Sequence, residues 1–225
     1  GVNYFCISDY HTSVDYSHRS LDMLKKIYGE DGFDSGMGKV LNNLGVSYGN
    51  LKKYDQAKKY LLEALDVRRK LYGGTTNHIE IAYTLLSLGI NVAHVSDNRK
   101  ALEYFHKSLD MYREIHGEDG CDEDMGTALH NLGHCYNQQR KYGTALKYAQ
   151  QALKMRKKIH GENNSHIQIA DSLNNLAAIY NAIKYHSKAI ATYKEALSMY
   201  KTVQPEHNNV KKIENYLHSH GINSV

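Results

Sequence analysis

The chain of 225 residues carries fourteen histidines, and two of them, His130 and His134, stand four apart. That spacing puts both imidazoles on one face of a helix, where they can share a metal ion, with His94 as the third ligand such a site would draw on. The residues between them are Asn131, Leu132 and Gly133, so the glutamate that a zinc hydrolase places there is missing. The run Glu118-Asp119-Gly120-Cys121-Asp122-Glu123-Asp124 is acidic enough for calcium. It lacks the residue order and the distal bidentate glutamate of an EF-hand loop, and acids ahead of a helix are favoured anyway by its dipole. Gly36-Met37-Gly38-Lys39 has a glycine-rich look, but it follows a helical run and lacks phosphate-loop spacing. Cys6, Cys121 and Cys135 are odd in number and have no C-x-x-C spacing, which argues against a disulfide framework or a cysteine zinc site. No serine, cysteine or carboxylate pair stands in a recognisable catalytic arrangement. The expectation is therefore a chain with no catalytic residues, no metal and no cofactor.

Composition narrows the class further. Apolar residues make up 41% and charged residues 23%, which suits a folded globular chain and disfavours disorder. A single proline, with no tryptophan and 19 tyrosines, leaves long helices uninterrupted. The net charge of +4 is spread among acids without forming a basic block, so no nucleic-acid partner is implied. No apolar run approaches the roughly 18 to 20 residues that span a bilayer, and no signal-peptide pattern opens the chain. Membrane insertion is not expected, and a reducing, cytoplasmic location fits the cysteines best.

The elements that position these residues follow from a repeat. Gly29, Gly73, Gly117 and Gly161 fall 44 residues apart, as do Leu44, Leu88, Leu132 and Leu176. The same step links Gly45, Gly89, Gly133 and Ala177, and also Ala57, Ala101, Ala145 and Ala189. Gly1-Val2-Asn3-Tyr4 lies over Gly45-Val46-Ser47-Tyr48, so the chain is expected to begin inside a repeat. A longer period of 88 residues joins Gly29-Glu30-Asp31-Gly32 to Gly117-Glu118-Asp119-Gly120, and His78-Ile79-Glu80-Ile81-Ala82 to His166-Ile167-Gln168-Ile169-Ala170. A duplicated pair of repeats explains both periods.

Within one repeat, Leu41, Leu44 and Tyr48, then Tyr54, Ala57, Leu61, Ala64 and Leu65, keep helical spacing. Ser165 with Gln168 has the form of a capping box and Asn77 with Glu80 imitates it, placing helix starts near 78 and 166. The repeating glycines suit the left-handed position that ends a helix. Gly45, Gly89, Gly133 and Ala177 let the two helices of a repeat cross closely. Tyrosines at 48, 60, 104, 136, 148, 180 and 193 follow the period and read as packing residues. Each repeat is then an αα-hairpin, and hairpins bury their second faces by stacking. The expected fold is all-α: a right-handed α-solenoid of stacked antiparallel helical hairpins forming one domain. Its limits are a truncated first repeat over 1–34, then repeats over 35–78, 79–122, 123–166 and 167–204. After Pro205 a terminal or capping helix, Asn208 to Ser219, is expected within 205–225, with Val210, Ile213, Tyr216 and Leu217 on one face.

Leu41-Asn42-Asn43-Leu44-Gly45-Val46-Ser47-Tyr48, with Tyr54-Asp55-Gln56-Ala57 and Glu63-Ala64-Leu65, resembles the tetratricopeptide repeat over essentially the whole chain. The N-N-L-G run, Asn174-Asn175-Leu176-Ala177 and the H-I-x-I-A junctions resemble the kinesin light chain group in particular. Repeats of that group are slightly shorter, their junction proline is absent here until Pro205, and Asn98 stands where a tyrosine is usual. The resemblance implies an adaptor or scaffold whose first helices line a concave groove. Carried over position by position, it implies Asn42, Asn43, Val46, Gly49 and Asn50 in the first full repeat, and Leu86, Ser87, Ile90, Ala93 and His94 in the second. The third offers His130, Asn131, His134, Asn137 and Gln138, and the last Asn174, Asn175, Ala178, Asn181 and Ala182. An amide can donate to and accept from a peptide backbone, so this lining suits an extended peptide or a helix of a partner protein. None of these positions carries lysine or arginine, which disfavours a clamp for a C-terminal carboxylate. The alternative is a structural spacer, or a scaffold that self-associates as a homo-oligomer through its repeat ends.

Overall fold

The computed structural model describes residues 9–29, 33–74, 77–117, 120–162 and 164–222, and every regular element among them is a helix. The glycine-valine-asparagine-tyrosine start, Cys6, Glu30 to Gly32, and Glu118 with Asp119 lie outside the described residues. The chain divides into two compact units, 1–118 and 119–225. Unit 1 holds α1 (Tyr10–Tyr28), α2 (Ser35–Asn50), α3 (Tyr54–Tyr72), α4 (Ile79–His94) and α5 (Asn98–His116). Unit 2 holds α6 (Glu123–Gln138), α7 (Tyr142–His160), α8 (Ile167–Ala182), α9 (His186–Val203) and α10 (Asn208–Ser219). In unit 1, α2 pairs with α3 and α4 with α5 as hairpins, α3 packs on α4, and the first helices α2 and α4 touch; unit 2 repeats this with α6 to α9. The last helix occupies the span expected for it, and Val210, Ile213 and Leu217 are its buried residues.

Burial follows the period. Leu44, Leu88 and Leu132 are fully buried and Leu176 nearly so, each contributing about 1.5–3 kcal/mol by leaving water. The glycines of the first helices sit where the partner helix crosses. A Cβ on Gly45 would lie 2.4 Å from Leu61 Cγ, and one on Gly89 would lie 2.5 Å from the Phe105 ring. On Gly133 the nearest atom would be the Ala149 backbone nitrogen at 3.1 Å. Close crossing was legible from the recurring small residue, and the contacts give its cause.

The turn inside each hairpin is less regular in sequence than in structure. Lys53 N–H bonds back to Tyr48 O at 2.8 Å and Lys52 N–H to Gly49 O at 2.9 Å, the pair of bonds that closes a Schellman motif. That motif needs a positive φ at the residue after the cap, and here it is supplied by Lys52 (59°), Ser96 (64°), Arg140 (59°) and Lys184 (62°). A side chain there costs about 1–2 kcal/mol, of which glycine's extra unfolded-state entropy gives back about half. Lys52→Gly, Ser96→Gly, Arg140→Gly and Lys184→Gly are each expected to stabilise the protein by about 0.5–1 kcal/mol, read as a rise in the urea midpoint at unchanged m-value. A fall at any of the four would contradict the strained turn.

Two local expectations are corrected. The helix-ending glycines do have positive φ, but Gly73 (86°, 137°), Gly117 (79°, 165°) and Gly161 (95°, 137°) combine it with an extended ψ. This is the region open essentially to glycine alone, not the left-handed helical one. The N-caps of α4 and α8 are His78 and His166, not Asn77 and Ser165. Their Nδ1 atoms accept from the Glu80 and Gln168 backbone N–H at 3.2 and 3.3 Å. An imidazole can cap because its acceptor nitrogen reaches the orphan donor that an asparagine or serine oxygen usually takes.

Candidate functional site

The lining expected for each unit lies on its first helices. In unit 1, α2 presents half-buried Asn43 and Val46 and exposed Asn50, and α4 presents half-buried Ile90 and exposed His94, whose ring stacks on Tyr54 at 5.4 Å. In unit 2, α6 presents half-buried His130, Asn131 and Asn137 with exposed His134 and Gln138, and α8 presents half-buried Asn174, Ala178 and Asn181. Four of the expected lining residues, Leu86 and Ser87 with two asparagines, are removed from this surface. Asn42 is 1% exposed and Asn175 is 5% exposed. The first accepts a bond from Arg68, and the second donates to the backbone oxygen of His130 at 3.2 Å. These two amides hold helices together.

The remaining asparagines fall into two groups. Asn50 and Asn131 turn their Nδ2 atoms back onto Val46 O and Thr127 O of their own helices, and Asn181 Oδ1 receives the Tyr216 hydroxyl at 2.9 Å. Asn43, Asn137 and Asn174 are half-buried and have no side-chain hydrogen-bond partner among the described residues. Their donors and acceptors are open to a ligand. The resemblance missed one further row of this face. Lys39, Tyr83, Thr127 and Asp171 stand one helical turn before Asn43, Ser87, Asn131 and Asn175, and all four are half-buried or exposed. Helical spacing alone could have added them.

Beneath this face each unit holds a buried arginine that sequence reading passed over. Arg68 of α3 is 2% exposed and Arg156 of α7 is 4% exposed. The stem of each lies against a glycine of the first helix, Gly38 or Gly126. Arg68 Nη1 donates to Glu80 O at 2.7 Å, to Thr84 Oγ1 and to Asn42 Oδ1 at 3.4 Å, and its Nε faces the Glu80 carboxylate at 3.5 Å. Arg156 Nη1 donates to Gln168 O at 2.8 Å, to Ser172 Oγ at 2.7 Å and toward His130 Nδ1 at 3.4 Å. Alternating with the arginines, Tyr112 and Tyr200 fill the same repeat position and are fully buried. The Tyr200 hydroxyl donates to Asp171 Oδ1 at 2.5 Å and accepts from Asn209 at 3.0 Å. The signal available in the sequence was the alternation Arg68, Tyr112, Arg156, Tyr200 at steps of 44.

The electrostatics of unit 2 bear on the histidine pair. Burial first, then the Arg156 cation and His134, push the His130 imidazole down to about 3. Its Nδ1 faces a guanidinium, which repels a metal ion as it repels a proton. Among the described residues no group of three or more histidine, cysteine, aspartate or glutamate side chains is placed to hold a metal. Burial pushes the Cys135 thiol up to about 11, so it is inert as a nucleophile at neutral pH. No helix among the described residues is long and apolar enough to cross a membrane.

Stacked antiparallel hairpins with amide-rich first helices define a helical-repeat protein, an all-α solenoid class. The tetratricopeptide repeat pattern matches residues 36–114, 80–158 and 124–202, and the chain belongs to that family. Its repeats resemble those of the kinesin light chain type. The fold is similar to BtubC (BKLC) from P. vanneervenii, with a TM-score of 0.72 at 19% identity over 92% of this chain and 79% of that one. It is also similar to a Podosopora anserina putative kinesin light chain with nearly identical repeats, with a TM-score of 0.68 at 13% identity over 91% and 92%. A third likeness is a Rap protein complexed with Competence and Sporulation Factor, with a TM-score of 0.71 at 18% identity over 98% of this chain and 62% of that one. No curated protein matches the sequence significantly.

Proposed function

We propose that the protein is an interaction module whose first helices hold an extended peptide segment of a partner protein, with α2 and α4 serving unit 1 and α6 and α8 serving unit 2. The observation that carries this reading is the set of half-buried, unbonded amides Asn43, Asn137 and Asn174. A half-buried amide without a partner forgoes bonds that a peptide backbone can supply, each contributing about 0.5–1.5 kcal/mol net. Backbone recognition of this kind needs no particular side chains, so the two units can engage a continuous extended segment or separate ones. The Rap fold neighbour complexed with Competence and Sporulation Factor, and a second Rap regulator solved with the Phr* peptide, add support from proteins of the same fold. Holding, not catalysis, is the role this surface suits, in a soluble cytoplasmic setting and without nucleic acid.

The test is recovery of partners from cell extract by the wild-type chain and by the variant Asn43→Ala, Asn137→Ala, Asn174→Ala. Loss of three backbone bonds is expected to weaken retention by about 30-fold or more, at roughly 0.7 kcal/mol for each bond, with the unfolding midpoint unchanged because none of the three side-chain amides bonds to another described residue. Equal recovery by both would sink the groove reading. It would favour the scaffold alternative, for which Met23 (64% exposed) and Ile27 (69% exposed) on α1 offer apolar contact area.

A further inference from the structure

The two units build the same junction from different chemistry. In unit 1 the junction of α3 and α4 is neutral or anionic around its arginine. Asn42 meets Arg68, Tyr72 donates its hydroxyl to Glu80 Oε2 at 2.8 Å, and the Tyr72 ring stacks on the capping His78 at 3.5 Å. Eighty-eight residues on, three of these are exchanged. Asn42 becomes His130, Tyr72 becomes His160 and Glu80 becomes Gln168, while the arginine and the capping histidine remain as Arg156 and His166. Three histidines and an arginine then meet at the junction of α7 and α8, with a glutamine where unit 1 has its carboxylate.

The neutral imidazoles of His130 and His166 are each used in a way that a proton would undo. His130 Nδ1 accepts from Arg156 Nη1 at 3.4 Å; protonated, it would present a donor to a donor and a cation to a cation. His166 Nδ1 caps α8 through the Gln168 N–H, and its ring lies on His160 at 3.5 Å between centroids. His160 Nε2 bonds Gln168 Oε1 at 3.1 Å, so His160, His166 and the start of α8 are one hydrogen-bonded group. Other charges face the cluster. Glu123 of α6 stands 3.8 Å from His160 Nε2, is largely exposed, and offsets only part of what holds His166 down. His134 of α6 adds to the repulsion on His130, and Asp171 of α8 offsets Arg156 while its Oδ1 receives Tyr200.

We propose that unit 2 is an acid-sensitive half of the protein: protonation of His130 and His166 frees the start of α8 and loosens the α6–α8 face, whereas unit 1, built on Asn42, Tyr72 and Glu80, keeps its face. The sign follows from the imidazoles. Burial, the neighbouring His160 and Arg156 hold His166 below its ordinary value, and burial with Arg156 holds His130 lower still. The unfolded chain therefore takes up protons that the folded junction refuses. Stability is full above about pH 6.5 and is lost progressively as pH falls below it. The consequence for binding, release of a peptide from unit 2 before unit 1, rests on the peptide reading above.

Hydrogen exchange followed by mass spectrometry on the peptide-free chain separates the two ideas, because it reads the junction without any ligand. Between about pH 7.4 and about pH 5.0, after correction for intrinsic exchange, protection of segments in 123–182 is expected to fall about tenfold or more, and that of segments in 35–94 less than about threefold. The variant His130→Asn, His160→Tyr, Gln168→Glu installs the unit 1 residues and is expected to abolish the loss. The reciprocal variant Asn42→His, Tyr72→His, Glu80→Gln is expected to move it into 35–94, which keeps the proposal testable if the first variant folds poorly. An equal loss in both units, no loss in unit 2, or a reciprocal variant whose unit 1 ignores acid would overturn it.

Discussion

Gly89→Ala is expected to destabilise unit 1 by about 2 kcal/mol, whereas Gly133→Ala leaves unit 2 within about 1 kcal/mol of wild type. The two substitutions are chemically identical and share the same repeat position. At 89 the new methyl meets the edge of the Phe105 ring at 2.5 and 2.6 Å, and that ring is fully buried. Overpacking of this kind costs about 3 kcal/mol, against which alanine's better helix propensity returns about 1. At 133 the closest atoms are 3.1 Å or more away, so a shift of a few tenths of an ångström suffices and the propensity gain offsets it. Ala177, which holds the same position in the last hairpin and is fully buried, is the natural precedent. Urea unfolding of both variants decides the matter, and equal losses would mean that the crossing distances differ less than the structure indicates.

Arg68→Ala should be the more damaging of the two arginine deletions, at about 3 kcal/mol against about 2 for Arg156→Ala. Removing Arg68 leaves the Glu80 carboxylate, which is only partly exposed, without its counter-charge, and strands Asn42, whose Nδ2 is already unbonded. It also empties the space over Gly38, which the arginine stem fills at 3.1 Å from where a Cβ would stand. Removing Arg156 strands a serine, a backbone oxygen and an imidazole, none of them charged at neutral pH, and relieves His130 of an adjacent cation. Asp171 also loses a nearby cation but keeps the Tyr200 hydroxyl, whereas Glu80 loses a direct ion pair, and that is the difference in cost. Chemical denaturation at about pH 7.5, above the ordinary histidine range, measures both, and a larger loss for Arg156→Ala would show that the Glu80 pair contributes little.

What the sequence disclosed and what it hid divide along physical lines. The period, the helices and the crossing glycines were legible because each is set by size or apolarity repeated at one position, as at Leu44 and Gly45. The caps of α4 and α8 were misread by one residue because histidine is a rare cap, and a serine or an asparagine stood beside it. The arginines were hidden for a different reason. A lone arginine in a helix reads as a solvated face, and only its partners across two other helices, at 42, 80 and 84 or at 130, 168 and 172, make burial tolerable. The amide surface was partly legible. Family positions pointed to Asn43, Asn131 and Asn174, but they could not reveal that Arg68 claims Asn42 or that the His130 carbonyl claims Asn175.

The alternation of Arg68, Tyr112, Arg156 and Tyr200 has a bearing on how such a chain lengthens or shortens. Excise one hairpin, residues 79–122, and Arg68 would be delivered to the start of α6, where Asp124 and Ala128 stand in place of Glu80 and Thr84 and the hydroxyl acceptor is gone. Excise two, residues 79–166, and Arg68 would meet Gln168 and Ser172, which already accept an arginine in unit 2. Insertion obeys the same arithmetic. Copy number in this lineage should therefore change by hairpin pairs, and homologous chains of differing length should differ by multiples of the 88-residue step that joins Arg68 to Arg156.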